Sequence, residues 1–218
     1  MLPVVDCLDS MAEFLKIYPQ NPDARKIAQV VKTLANGGVI IYPTDTVYGL
    51  GCDIFNTKAL DKVRQIKGIK GKSLNLSFIC YDLSHLSEYT RHVTTPIFKM
   101  MKKGLPGPYT FLLEASSKVP KILNTNKKTV GIRVPDNNIP REIVRELGNP
   151  IITTSIRDED EILEYSTDPE LIHEKFDHLV DMVIDGGYGQ IEPTTVVDCT
   201  TGDAELVREG LGDFNALF

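Results

Sequence analysis

An apolar run leads into two threonines, an aspartate and a tyrosine in the stretch Gly37-Gly38-Val39-Ile40-Ile41-Tyr42-Pro43-Thr44-Asp45-Thr46-Val47-Tyr48-Gly49-Leu50-Gly51. Hydroxyls and free backbone N–H groups at the end of a strand can cradle a small ligand. The same residues also suit an ordinary polar turn before the next helix. A second candidate is Lys67-Gly68-Ile69-Lys70-Gly71-Lys72-Ser73, whose glycines allow close approach to a phosphate that the lysines would neutralise. It lacks the Walker spacing, and a solvated basic turn has the same composition. The third is Arg133, a lone charge in Thr129-Val130-Gly131-Ile132-Arg133-Val134-Pro135. Strand alternation puts it on the face of Gly131, opposite Val130, Ile132 and Val134. There it is either an exposed edge charge or part of an anion pocket. The chemistry suggested is binding and charge neutralisation. No general base stands out, and His85, His92, His173 and His178 read as surface or packing residues.

The elements that must position these groups are legible in outline. Val39, Ile40 and Ile41 form a β-branched strand that Pro43 ends, since proline has no N–H for the ladder. Before it, Asn21 as cap, Pro22 at the first position and Ile27, Val30, Val31 and Leu34 predict a helix closed by Asn36-Gly37-Gly38. Thr57 as cap opens a second helix to Lys67. Strands are expected over 74–80, after Pro106-Gly107-Pro108, over 129–135 and over 150–155. Helices are expected over 95–103, 139–147 and from Asp168 to Phe176. Strands over 180–184, 194–198 and 205–210 complete the pattern. The acidic segment 157–164 reads as a solvated loop. Strands slightly outnumber helices and interleave with them, which predicts an α/β protein with a mixed, twisted sheet. Residues 1–23 read as an N-terminal appendage and 24–213 as a single domain.

Composition narrows the partners. The 218-residue chain is 42% apolar and 25% charged, with a formal net charge of -6. That balance argues against a strongly basic surface wrapped around nucleic acid, while leaving room for a local basic groove. Cys7, Cys52, Cys80 and Cys199 are scattered without a CxxC pair, as in a reduced cytoplasmic protein with neither disulfide frame nor metal site. No signal peptide is visible, and the apolar runs are too short to span a bilayer.

Four ordered segments then carry a resemblance. Pro43 to Gly51, Pro106-Gly107-Pro108-Tyr109-Thr110, Val130 to Pro135, and Thr194-Thr195-Val196-Val197-Asp198 followed by Arg208-Glu209-Gly210 resemble the YrdC/YciO superfamily over residues 24–212. The resemblance implies a twisted, mostly open α/β sheet with a large concave basic cavity. It also implies an L-threonylcarbamoyl-AMP synthase type of activity, joining L-threonine, bicarbonate and ATP with Mg²⁺ and serving the t6A modification of tRNA. Carried over position by position, it assigns Thr44, Thr46, Arg133 and Thr194 to the amino-acid substrate. Lys67, Thr129, Ser155 and Arg208 fall to the nucleotide. Three positions depart from the synthase pattern. Ile69 replaces the arginine of KxR, Arg157 the asparagine of SxN, and Phe78 stands where synthases commonly have a histidine. Loss of both signatures resembles the YciO branch. Three functions follow: a synthase-like enzyme, a module binding double-stranded RNA or tRNA, or a nucleotide-binding protein without turnover. Lys67, Lys70, Lys72, Lys102, Lys103, Lys127 and Lys128 favour the second, and the acidic total opposes it.

Overall fold

The computed structural model describes residues 11–68, 77–119, 129–156 and 166–218. Its strands are β1 (Glu13–Lys16), β2 (Ile40–Tyr42), β3 (Gly49–Asp53), β4 (Ser77–Ile79), β5 (Tyr109–Glu114), β6 (Thr129–Arg133), β7 (Ile151–Ser155), β8 (Met182–Asp185), β9 (Thr195–Asp198) and β10 (Glu205–Arg208). They form one mixed sheet in the order β1-β8-β2-β3-β7-β4-β6-β5-β9-β10. The helices are α1 (Ala24–Ala35), α2 (Thr57–Ile66), α3 (Leu86–Tyr89), α4 (Thr95–Gly104), α5 (Asn138–Leu147) and α6 (Pro169–Phe176), with a 3-10 turn at Phe214–Leu217. No described helix is long and apolar enough to cross a membrane.

Register gives the two faces of the sheet opposite characters. Residues paired across neighbouring strands point to the same side. Pairing aligns Cys52, Ile152, Phe78, Ile132, Phe111 and Val197 in one row across six strands, and all six are buried. Leu60 and Val63 of α2 and Ile97, Met100 and Met101 of α4 belong to the same core. The adjacent row runs Gly51, Thr153, Ser77, Gly131 and Leu112 on the opposite face. Its middle is small and hydroxylated, so it offers little to a helix. The second core covers only part of that face, where Ile27, Val30 and Leu34 of α1 and Ile139, Ile143 and Val144 of α5 meet Ile40, Tyr42, Ile79 and Ile151.

Several sequence expectations shift by a residue or two. Asp23, rather than Asn21, caps α1 by accepting the N–H groups of Arg25 and Lys26. Asn56, rather than Thr57, caps α2 through the N–H of Ala59. Two strands were not anticipated. β1 pairs in parallel with β8 inside the segment read as an appendage. β3 runs through Gly49 and Gly51, which the pattern had presented as a closing turn. Those glycines are needed because the Tyr42 ring lies across them: a Cβ on Gly51 would stand 3.0 Å from Tyr42 Cε1 and 2.4 Å from the Ile152 carbonyl.

The described cysteines Cys52, Cys80 and Cys199 are free and buried. Burial pushes each thiol from the ordinary 9.0 up to about 12. In that window the unfolded chain loses thiol protons that the native chain retains, so stability falls as pH rises through it and is unaffected below it. Urea midpoints should therefore drop between about pH 8 and about pH 10, and iodoacetamide should spare all three thiols of the native protein at neutral pH.

Candidate functional site

The site is built around Arg133 at the end of β6, which is 6% exposed. Its Nη2 lies 2.9 Å from Thr44 Oγ1, 2.6 Å from Asp45 Oδ1 and 2.7 Å from Thr46 Oγ1. The turn after Pro43 makes this convergence possible. Thr44 Oγ1 donates to the Val47 carbonyl at 2.8 Å and accepts the Thr46 N–H at 3.0 Å, which folds both threonines toward the guanidinium. Gln190 N–H closes on the Thr46 carbonyl at 3.1 Å from the far side. Asp45 Oδ2 accepts the Asp136 N–H at 3.1 Å, so both carboxylate oxygens are engaged. Arg133 Nε is buried without a partner among the described residues. A buried donor left unsatisfied costs about 1–3 kcal/mol, and this one is next to Nη2 on the guanidinium, where a ligand oxygen could satisfy it.

Beside this cluster runs the hydroxylated face. Tyr42 Oη donates to Thr153 Oγ1 at 2.6 Å. Burial raises the Tyr42 hydroxyl well above the ordinary phenol range, keeping it a neutral donor. Ser77 on β4 pairs with Thr153 on one side and Gly131 on the other. A Cβ on Gly131 would stand 2.4 Å from Ser77 Oγ and 3.2 Å from Thr110 Cγ2. Only glycine leaves both hydroxylated side chains in place there. Thr110 Oγ1 is 2.9 Å from Thr194 Oγ1, and Arg208 Nη2 donates to the Thr194 carbonyl at 2.9 Å.

The structure thus gathers Thr44, Thr46 and Arg133 into one hydrogen-bonded group, and Thr194 with Arg208 into a second. Thr110 on β5, the strand paired with β6, belongs to the second group through its contact with Thr194. Thr129 begins β6 and Ser155 ends β7 opposite Gly49, both half-buried. Lys67 is the half-buried C-cap of α2. Ile69, Lys70, Lys72, Lys127, Lys128, Arg157 and the acidic loop lie outside the described residues. Phe78 does not face this site. It is in the apolar row with its ring edge-on to Tyr89, and Ser77 is the β4 residue on the arginine side. Among the described residues no group of three or more His, Cys, Asp or Glu could hold a metal ion.

Sequence reasoning missed Asp45, Tyr42 and Thr153. A buried arginine requires a counter-charge, and Asp45 is the acid between the two threonines singled out, so that signal was available. Tyr42 and Thr153 left none, because their contact spans 111 positions of sequence.

The Sua5–YciO–YrdC family model, described as telomere recombination, matches residues 32–210. YciO of Escherichia coli strain K12 is 40% identical over 205 residues, covering 93% of this chain and 98% of its own. The crystal structure of E. coli YciO superposes with a TM-score of 0.88, covering 95% of this chain and 100% of that one. A threonylcarbamoyl-AMP synthase of Coxiella burnetii is 30% identical over 182 residues, covering 82% of this chain and 95% of its own. The P. abyssi Sua5 crystal structure complexed with L-threonine shares the fold at a TM-score of 0.81 and 24% identity, over 90% of this chain and 57% of that one. The chain belongs to the Sua5–YciO–YrdC family.

Proposed function

We propose that this protein binds L-threonine and ATP and acts as a threonylcarbamoyl-AMP synthase-type enzyme. The observation that carries the reading is the buried Arg133 guanidinium, held at Nη2 by Thr44, Asp45 and Thr46 while its Nε has no partner among the described residues. A guanidinium fixed in this way suits a carboxylate. The Coxiella synthase and the threonine complex of P. abyssi Sua5 point to an amino acid as its source. The neighbouring hydroxyls of Ser77, Thr110, Thr153 and Thr194 orient the amine and the oxygens it acquires, without adding charge. Lys67, Thr129, Ser155 and Arg208 are assigned to the nucleotide, with the two cations offsetting phosphate charge. Mg²⁺ enters bound to ATP as part of the substrate.

In the reaction the threonine amine forms its bond to the bicarbonate carbon, and water is lost. A carbamate oxygen then attacks the α-phosphorus as the bond to the β-phosphate breaks, giving threonylcarbamoyl-AMP and pyrophosphate. Arg133 keeps the carboxylate away from the phosphorus, and the hydroxyl face holds the carbamate toward it. Nucleotide binding without turnover is the second reading, favoured by Ile69 and Arg157 at the two altered signatures.

Calorimetry with L-threonine and L-threoninol tests the carboxylate assignment, because the alcohol keeps the amine and side chain but lacks the carboxylate. A charge-assisted bond of about 1.5–3 kcal/mol predicts roughly 10- to 150-fold weaker binding of threoninol in the presence of ATP. Equal binding of the two would contradict the assignment.

A further inference from the structure

We infer that Asp45 is the positioning residue that aims Arg133 at the substrate carboxylate without touching the substrate itself. This rests on the reading of Arg133 as the carboxylate-binding group. Three acceptors crowd Arg133 Nη2, which has only two hydrogens, and Asp45 Oδ1 is the nearest at 2.6 Å. The threonines supply neutral oxygens, and the proton of Thr44 is committed to the Val47 carbonyl. Asp45 is the charged member of the set, and its side chain is 10% exposed against 8% for Arg133.

Its second oxygen accepts the N–H of Asp136, three positions beyond Arg133 on the same segment. The carboxylate therefore ties the arginine side chain to the backbone leaving β6. A guanidinium held at Nη2 can neither swing toward the turn nor present Nη2 to a ligand. What remains for a ligand is the buried Nε–H, which has no partner among the described residues. Simple charge compensation would need one oxygen near the guanidinium, whereas the observed arrangement fixes position through both.

Asp45→Glu and Asp45→Asn separate these roles. Glu keeps the charge and moves it by one methylene; Asn keeps the shape and removes the charge. A misplacement of about 1 Å is enough for losses on the order of 100-fold, so both variants should raise the L-threonine half-saturation by roughly that factor. The ATP half-saturation should stay within about twofold, a split that general destabilisation would not produce. Nitrogen-15 spectra of the free protein give a readout independent of activity. Arg133 should show two resolved Nη resonances, identified by their absence in Arg133→Lys, and they should merge in both variants as rotation about Cζ–Nη is released.

An unchanged threonine response in Asp45→Glu, or a joint rise for threonine and ATP, would overturn the inference. If the wild type ignores L-threonine, the proposed function fails on its own, and the spectra still decide this point. Merged resonances in the variants support the tether, and resonances that stay resolved overturn it.

Discussion

Arg133→Ala should abolish L-threonine-dependent pyrophosphate release and destabilise the fold by about 3–5 kcal/mol. The second effect comes from the residue left behind. Asp45 loses its ion-pair partner at a position that is 10% exposed, and an uncompensated buried charge costs far more than the pair itself contributed. The two effects are separable. Arg133→Met combined with Asp45→Asn removes both charges, so most of the stability should return, because buried pairs replaced by neutral groups of similar volume are often near neutral. Activity should not return, since methionine offers a carboxylate no donor. Arg133→Lys is the intermediate case. A single ammonium can meet Asp45, but it has no second nitrogen to offer a ligand while the first holds Thr44, Asp45 and Thr46. Urea denaturation and pyrophosphate assays on the same preparations check both parts. Recovery of activity in the double variant would contradict the assignment of Arg133.

Phe78→Ala should cost about 3–5 kcal/mol without altering the half-saturation of either substrate. Phe78 is 1% exposed, sits in the middle of the apolar row, and meets Tyr89 edge-on with ring centroids 5.7 Å apart. Its removal leaves a cavity between the sheet and the side chains packed on that face, including Tyr89. Ser77→Ala, one residue earlier on the same strand, should behave in the opposite way. Its stability change should stay within about 0.5 kcal/mol, since the side chain faces the hydroxylated side, while ligand binding weakens. The pair also bears on the departure from the synthase pattern. Phe78→His would bury an imidazole among Ile132, Ile152 and Phe111 and destabilise the core, with no gain in threonine contact, because that position points away from Arg133. Chemical denaturation of the three variants separates the two faces.

Much of this arrangement follows from local rules. Alternation along 129–135 places Arg133 and Gly131 on one face, and the structure agrees because Ile132 and Phe111 are register partners on the other. Pro43 ends β2 where the missing N–H requires it, and Gly148 closes α5 with φ at 80°. The parts that were not legible depend on distant contacts. The glycines of β3 look like turn residues until the Tyr42 ring is laid over them. β1 is a short exposed edge whose ladder partner among the described residues is β8, 169 positions away for Glu13 and Met182. Asp45 falls between these cases. Its identity follows from the need to neutralise a buried arginine, but its second tether to Asp136 depends on how β6 and the turn after β2 meet in space.

Incubating the protein with ATP, Mg²⁺, bicarbonate and L-threonine, with detection of threonylcarbamoyl-AMP by mass, reads out the proposed reaction itself. The adduct and pyrophosphate should appear together, each should depend on bicarbonate and on L-threonine, and both should vanish in Arg133→Ala. ATP binding with no adduct under any of these conditions would contradict it and leave a nucleotide-binding protein without this turnover.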